Sequence, residues 1–283
     1  MNREWLLAHG RVLMLGPRAL IMGVLNVTPD SFSDGGLHLS SDNAVDAARR
    51  MIEQGADIID IGGESTRPGA EPVDAATEQA RVLPVIEALA ATGTILSVDT
   101  YREETARLAI SAGAHIVNDV WGLQREPAIA GLAARTRAGL VIMHTGRGRE
   151  RNPDVIADQL SFLRRSLEIA ARAGLPEGQI VLDPGFGFAK VAREDVALMA
   201  RFAELLELGH PWLVGTSRKR FIGALTGRDP QHRDVGTAAT SVALRLAGAD
   251  IFRVHDVAIN RDALAVADAI LAGRRNDADG TEG

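Results

Sequence analysis

Short apolar runs alternate with longer stretches of helical period along nearly the whole chain. The short runs are Leu20 to Leu25, Asp57 to Ile61, Thr94 to Val98, His115 to Val117, Leu140 to Met143, Ile180 to Leu182, Trp212 to Val214 and Ile251 to Val254. Most are continuously apolar, as strands covered on both faces must be. Between them apolar residues recur on one helical face: Val45, Ala48 and Ile52; Val82, Ile86 and Leu89; Ile156, Leu160, Leu163 and Leu167; Val196, Met199 and Phe202; Leu264, Ala267 and Leu271. Three segments pass through a glycine straight into a strand, at Gly55-Ala56-Asp57, Gly113-Ala114-His115 and Gly248-Ala249-Asp250. Glycine accepts the left-handed conformation that stops a helix, so one helix-to-strand junction is predicted three times. Eight strand–helix units without a break in composition predict a single-domain α/β protein, a (β/α)8 TIM barrel over residues 1–273. A doubly wound open sheet is the alternative. Residues 274–283 are polar and read as a flexible C-terminal tail.

Composition narrows the function. The 283 residues are 46% hydrophobic and 24% charged, enough apolar material for a sizeable core. A net charge of −6 argues against nucleic acid or an anionic membrane as partner, since both need a basic footprint. The absence of cysteine removes thiolate nucleophiles, disulfides and Cys-ligated zinc, and is compatible with a reducing cytoplasm. Trp5 to Ala8 is too brief for a signal segment, and no apolar run approaches the roughly 18 residues that span a bilayer. A soluble cytoplasmic enzyme acting on small molecules is expected.

In a barrel the C-terminal ends of the strands form the active face, and here nearly every strand ends in a polar residue. In chain order these are Asn26; Glu64 with Thr66 and Arg67; Asp99; Asn118 with Asp119; His144; Asp183; Ser217 to Lys219; and Arg253 with His255. Polar residues cap strands in any α/β protein, so one alone carries little, whereas eight converging ends carry more. Asn26 offers a carbonyl oxygen to a hard cation, and Arg67 suits a phosphate. Asp183 is placed to pair with a flat, amidine-like donor edge. Arg253 and His255 lie two residues apart on one side of a strand, and with Asn26 and a divalent ion suit a diphosphate. Ser217 to Arg220 reads as a hydroxyl N-cap followed by three cations in a first helical turn, a pattern explained by an anionic ligand. No triad order and no His-Glu-x-x-His occurs, which weakens hydrolase readings.

These segments resemble the dihydropteroate synthase family. The matching stretches are Met22 to Gly35, Asp60 to Gly69, Ser97 to Thr100, Asn118-Asp119, Asp183 to Phe188, Gly215 to Lys219 and Arg253 to Asp256. The resemblance implies condensation of a 6-hydroxymethyl-7,8-dihydropterin diphosphate with p-aminobenzoate, releasing pyrophosphate, by a Mg2+-dependent homodimer. It implies that Asp99, Asn118, Asp183 and Lys219 hold the pterin. Asn26 with the metal, Arg67, Arg253 and His255 would hold the diphosphate, with Asp34 and Arg67 in loops that settle around it. Phe32, Thr66 and Pro68 would wall the p-aminobenzoate site, its carboxylate meeting Ser217, Arg218 and Arg220; sulfonamides would mimic that substrate. A pterin-binding methyltransferase would share Asp99, Asn118 and Asp183, and a non-catalytic pterin-binding paralogue is the other alternative. A phosphosugar aldolase barrel fits poorly, because Lys219 sits among cations.

The chain departs from the family at three places. After His144 a Met-rich stretch is replaced by Thr145-Gly146-Arg147-Gly148-Arg149-Glu150; the common Gly-Phe-Gly-Lys is Gly187-Phe188-Ala189-Lys190, followed by Glu194-Asp195; and Arg220 replaces a common serine. The first two are expected to lie away from the residues assigned to chemistry.

Overall fold

The structure is a computed structural model, and it describes residues 3–28, 37–64 and 73–280. Eight parallel strands carry the fold: β3 (Leu20–Asn26), β4 (Ile58–Gly62), β5 (Ile95–Asp99), β6 (Ile116–Asp119), β7 (Gly139–Met143), β8 (Ile180–Asp183), β9 (Leu213–Val214) and β10 (Ile251–Val254). They pair in the order β8-β7-β6-β5-β4-β3-β10-β9. A parallel bridge between Leu182 and Trp212, with the Leu182 N–H donating to Pro211 O at 2.9 Å, joins the two ends of that order. The sheet therefore closes, and the open doubly wound alternative falls.

Each strand leads into a helix: α1 (Leu37–Glu53), α2 (Ala75–Ala90), α3 (Glu103–Ser111), α4 (Ala128–Thr136), α5 (Val155–Arg172), α6 (Ala192–Ala200), α7 (Arg220–Thr226) with α8 (Asp234–Leu246), and α9 (Val257–Gly280). The repeated junction is present. At Gly55, Gly113 and Gly248 φ is +97°, +116° and +109°, and the alanine after each donates to the carbonyl five residues back at 2.9, 2.9 and 3.0 Å. The left-handed glycine turns the chain so that it re-enters the sheet on the next residue.

Strand alternation divides the core in two. Ile21, Ile59, Leu96, Val117, Leu140, Leu182 and Phe252 face the helices and join their apolar stripes. Met22, Ile58, Ile95, Ile116, Val141, Val181, Leu213 and Ile251, one from each strand, point inward and form a separate cluster at the N-terminal end of the barrel. That cluster is sealed by an antiparallel hairpin, β1 (Arg3–Leu6) and β2 (Val12–Leu15), which contributes Trp5, Leu7 and Leu15. Trp5 Nε1 donates to Gln179 O at 2.9 Å, so the indole is buried with its polar edge satisfied. Gly139 is required for the seal, since a Cβ there would lie 2.5 Å from Leu7 Cδ2.

The hairpin places Trp5 and Leu7 in the core, where the sequence pattern suggests no element. Residues 274–280 continue α9 as helix to Gly280. Gly273 takes no left-handed φ, and so does not end the helix.

Candidate active site

Two residues further along the same inward-facing rows, the apolar lining gives way to polar groups. Ile58 is followed by Asp60, Ile95 by Ser97 and Asp99, Ile116 by Asn118, Val181 by Asp183, and Ile251 by Arg253 and His255. Strand register brings these rows level: Asn26 pairs with Gly62, Gly62 with Asp99, and Asp99 with Asn118. Asn26, Asp99, Asn118, Asp183, Lys219, Arg253 and His255 thus share the C-terminal rim. Phe32, Asp34, Thr66, Arg67 and Pro68 lie outside the described residues.

The floor of the mouth is an ion-pair network centred on Arg253. Its Nε donates to Asp60 Oδ2 at 2.6 Å and its Nη2 to Asp99 Oδ2 at 2.8 Å, while Asn118 Nδ2 donates to the same Asp60 oxygen at 3.0 Å. Asp60 is fully buried and was missed as a site residue. Its signal was present in the sequence, a lone carboxylate in the otherwise apolar Ile58-Ile59-Asp60-Ile61, which burial tolerates only if a cation meets it. Burial raises the Asp99 pKa to about 7, opposed by Arg253 and reinforced by Asp60. Burial works to lower the Arg253 pKa, but Asp60 and Asp99 outweigh it and hold the guanidinium charged. Asp60 Oδ1, Ser97 Oγ and Asn118 Oδ1 are buried without a hydrogen-bond partner among the described residues.

Lys219 and Asp183 form the opposite side. Lys219 Nζ donates to Phe186 O, and the Lys219 side chain crosses Gly187, where a Cβ would lie 3.1 Å from Cδ. Burial lowers the Lys219 pKa to about 8, with Asp183 and Asp195 opposing. Burial raises that of Asp183, with Lys219 opposing; its Oδ1 accepts the Gly185 N–H at 2.7 Å.

The segment before α7 differs from the expected N-cap. α7 has seven residues and begins at Arg220, with Lys219 preceding it, so only Arg220, which is exposed, lies in its first turn. Ser217 Oγ accepts the His255 N–H at 3.1 Å and stands 2.9 Å from His255 Nδ1. These two contacts from one hydroxyl fix the orientation of the His255 ring at the end of β10. Arg218 makes a two-pronged pair with Asp234 at 2.8 Å on each arm.

Other rim residues are structural. The Asp119 carboxylate accepts the Trp121 and Leu123 N–H groups at 2.8 and 2.6 Å, tying the β6 loop. His144 turns outward to Asp158, 2.9 Å from Nε2, and Lys190 Nζ reaches its Nδ1 at 3.0 Å. Glu64 is held by Arg102 at 2.8 Å, and Arg102 Nη2 also donates to Val73 O at 2.5 Å, so one guanidinium grips both stems of the segment between residues 64 and 73.

The two departing loops do not lie away from the site. The Gly146 N–H donates to Phe188 O at 3.5 Å, and a Cβ on Gly146 would meet Ala189 Cβ at 3.2 Å, so the loops after β7 and β8 pack directly together. Above them cations and rings alternate around the rim. Arg125 lies 4.0 Å from the Tyr101 ring and 4.8 Å from that of Trp121. Arg147 lies 6.0 Å from the Trp121 ring and 4.8 Å from that of Phe188, which Lys219 Nζ also approaches, at 4.7 Å.

Comparison with known proteins agrees with this geometry. Residues 22–255 match the family model described as pterin binding enzyme. Dihydropteroate synthase of Bacillus subtilis is 49% identical over 241 residues, covering 85% of this chain and 84% of its own. The structure of Xanthomonas albilineans dihydropteroate synthase with 4-aminobenzoic acid superposes with a TM-score of 0.90 at 45% identity, covering 95% of this chain and 99% of its own. The same organism's enzyme in complex with 7,8-dihydropteroate gives 0.85 at 42% identity, covering 94% and 98%. A closed barrel whose acceptor-rich mouth matches these proteins over nearly their full length belongs to the dihydropteroate synthase family.

Proposed function

We propose that the barrel mouth is the active site, and that it joins the methylene of a 7,8-dihydropterin diphosphate to the amine of p-aminobenzoate with release of pyrophosphate. The observation that supports it most is the surplus of buried acceptors. Among the described residues Asp60 Oδ1, Ser97 Oγ and Asn118 Oδ1 are buried without a partner beside the carboxylates of Asp99 and Asp183, and a buried unpaired acceptor costs about 1–3 kcal/mol. A flat heterocycle with a donor edge is the ligand that removes this cost. Lys219, charged beside Asp183, supplies the donor that the pterin's own acceptor needs.

Among the described residues no cluster of three or more His, Asp or Glu side chains is placed to hold a metal ion. Mg2+ nonetheless fits, because it keeps several waters and binds through one or two protein oxygens plus substrate phosphates. Asn26, whose side chain has no hydrogen bond among the described residues, is the proposed protein oxygen, and the ion would supply neutralisation of charge on the departing diphosphate. Arg253 has two Nη1 hydrogens outside its bonds to Asp60 and Asp99; with His255 and Arg67 it is assigned to the diphosphate. Preorganised donors aimed at a leaving group usually contribute most to lowering a barrier. No described residue stands as a strong base for the weakly nucleophilic amine, so departure of the leaving group carries the reaction, and the resulting cation is delocalised by the fused ring. The p-aminobenzoate end is assigned to Phe32, Thr66, Pro68, Ser217 and Arg220, with Arg218 held in place by Asp234, and Asp34 is assigned with Arg67 to the diphosphate.

The reading is tested by pyrophosphate release that requires p-aminobenzoate, together with titration of the pterin into Asp183→Asn. Loss of pterin affinity by about tenfold or more is expected, since the amide turns a donor toward a donor; unchanged affinity removes Asp183 from the site. No described helix is long and apolar enough to cross a membrane, and a cytoplasmic location is proposed on that and on the cysteine-free composition. A homodimer is proposed through the outer faces of α7, α8 and α9, where Leu225, Val235, Val266 and Ile270 are exposed. Light scattering at the monomer mass would refute it.

A further inference from the structure

Hydrogen bonds around the edge of a flat heterocycle leave its two faces to be covered by something else. The edge groups here are Asp99, Asn118, Asp183 and Lys219, and the wall beside them is built by the two loops in which this chain departs from its family. Gly146 and Ala189 are small enough to let those loops touch, and their contact carries Arg147 to the Phe188 ring, 4.8 Å from its centroid. Lys219 Nζ lies on the same ring at 4.7 Å, so Arg147 stands next to a residue assigned to the pterin. Arg147 is half-buried and feels the charges of both Asp99 and Lys219. Burial lowers its pKa, with Asp99 opposing, as expected of a guanidinium drawn in toward the acidic floor. A guanidinium is planar and weakly hydrated, and it stacks on aromatic faces in a way a lysine ammonium does not.

On the reading of the mouth as a pterin site, we propose that Arg147 is a specificity-determining binding residue whose guanidinium plane stacks on one face of the pterin ring. The preference this creates is for a flat, fused ring, and it is independent of the diphosphate.

The test uses two probes on the whole enzyme: 6-hydroxymethyl-7,8-dihydropterin without its diphosphate, and pyrophosphate with Mg2+. Calorimetry is run on wild type, Arg147→Ala, Arg147→Lys and Asp183→Asn, with melting temperature recorded for each. Arg147→Ala is expected to bind the hydroxymethylpterin about tenfold more weakly, the size of a desolvated cation–π contact, with pyrophosphate affinity unchanged. Loss of pyrophosphate affinity instead would make Arg147 a diphosphate ligand and overturn the proposal. Full rescue by Arg147→Lys would show that charge alone matters, and would also overturn it. A lowered melting temperature with intact hydroxymethylpterin affinity would leave Arg147 as packing for Trp121 and Phe188. If Arg147→Ala binds normally while Asp183→Asn is weakened, the stacking fails and the pterin site stands; if both bind normally, the pterin site itself fails.

Discussion

The two ends of the barrel are built from the same strands and behave as opposites. At the N-terminal end the inward positions are Leu, Ile, Met and Val, closed by Trp5, Leu7 and Leu15 from the hairpin. At the C-terminal end, two or four residues further along those strands, the inward positions are Asp60, Asp99, Asn118, Asp183 and Arg253. One end spends its buried surface on removing hydrocarbon from water. The other buries charge that must be met by charge, and leaves three side-chain acceptors, Asp60 Oδ1, Ser97 Oγ and Asn118 Oδ1, with no partner among the described residues. Titratable groups follow the same division. His115, at the sealed end, accepts the Leu96 N–H at Nδ1 and is kept neutral, its pKa lowered to about 4 chiefly by burial. Asp99 and Lys219, at the open end, are moved to about 7 and about 8, where both protonation states are accessible near neutrality. A closed barrel thus separates stability from chemistry by a few residues along each strand.

The sharpest way to break this comparison is to damage each end once. Trp5→Ala should cost about 3–5 kcal/mol of stability, as large-to-small changes in a packed core do, while leaving KM for both substrates unchanged. Arg253→Ala should cost a similar about 3–5 kcal/mol, because Asp60 and Asp99 lose their buried cation, and should abolish turnover as well. Denaturant melts and steady-state kinetics on both variants decide it; a Trp5→Ala enzyme with altered KM would show that the ends are coupled.

Acid titration comes next. The unfolded chain binds a proton at His115 near 6.5, whereas the folded chain resists until about 4, so stability is lost as pH falls through that window. A loss of about 1–3 kcal/mol is expected, and His115→Gln, which keeps an acceptor for Leu96 N–H, should flatten it. Asp99 has the reverse sign: its raised pKa gives stability present below 3.8 and lost as pH rises through about 7. The activity follows from the same groups. With Asp99 ionised and Lys219 protonated as the binding form, kcat/KM for the pterin diphosphate should rise through about pH 7 and fall beyond about 8. A profile flat from about pH 6 to 9 would remove one or both from binding.

The smallest effect lies where the two departing loops meet. Ala189 holds φ +54°, a conformation that favours glycine. Ala189→Gly should stabilise the protein by about 1 kcal/mol, measured by thermal melting. An unchanged or lower melting temperature would mean that the Ala189 Cβ contact with the β7 loop outweighs the strain.

Much of this molecule was legible in the sequence. Strand positions came within a residue or two, because a strand covered on both faces must be apolar throughout, and three glycines marked their helix-to-strand junctions. The rim residues from Asn26 to His255 were found for a related reason: the barrel puts every strand end on one face, so knowing the strands names the candidates. The helices α3, α4, α7 and α8 were not read from periodicity, α7 having only seven residues in which to show one. What the sequence by itself could not determine was partnership. Nothing local says that Arg253 shares itself between Asp60 and Asp99, residues 193 and 154 positions away. Nor does it say that Ser217 serves His255, or that Trp5 plugs the barrel beside Val181. Loops that looked remote along the chain brought Arg147 and Lys219 to the same ring, that of Phe188. Periodicity and turn chemistry act between near neighbours, so one chain displays them; ion pairs, seals and loop contacts form between residues that only the closing of the barrel brings within reach.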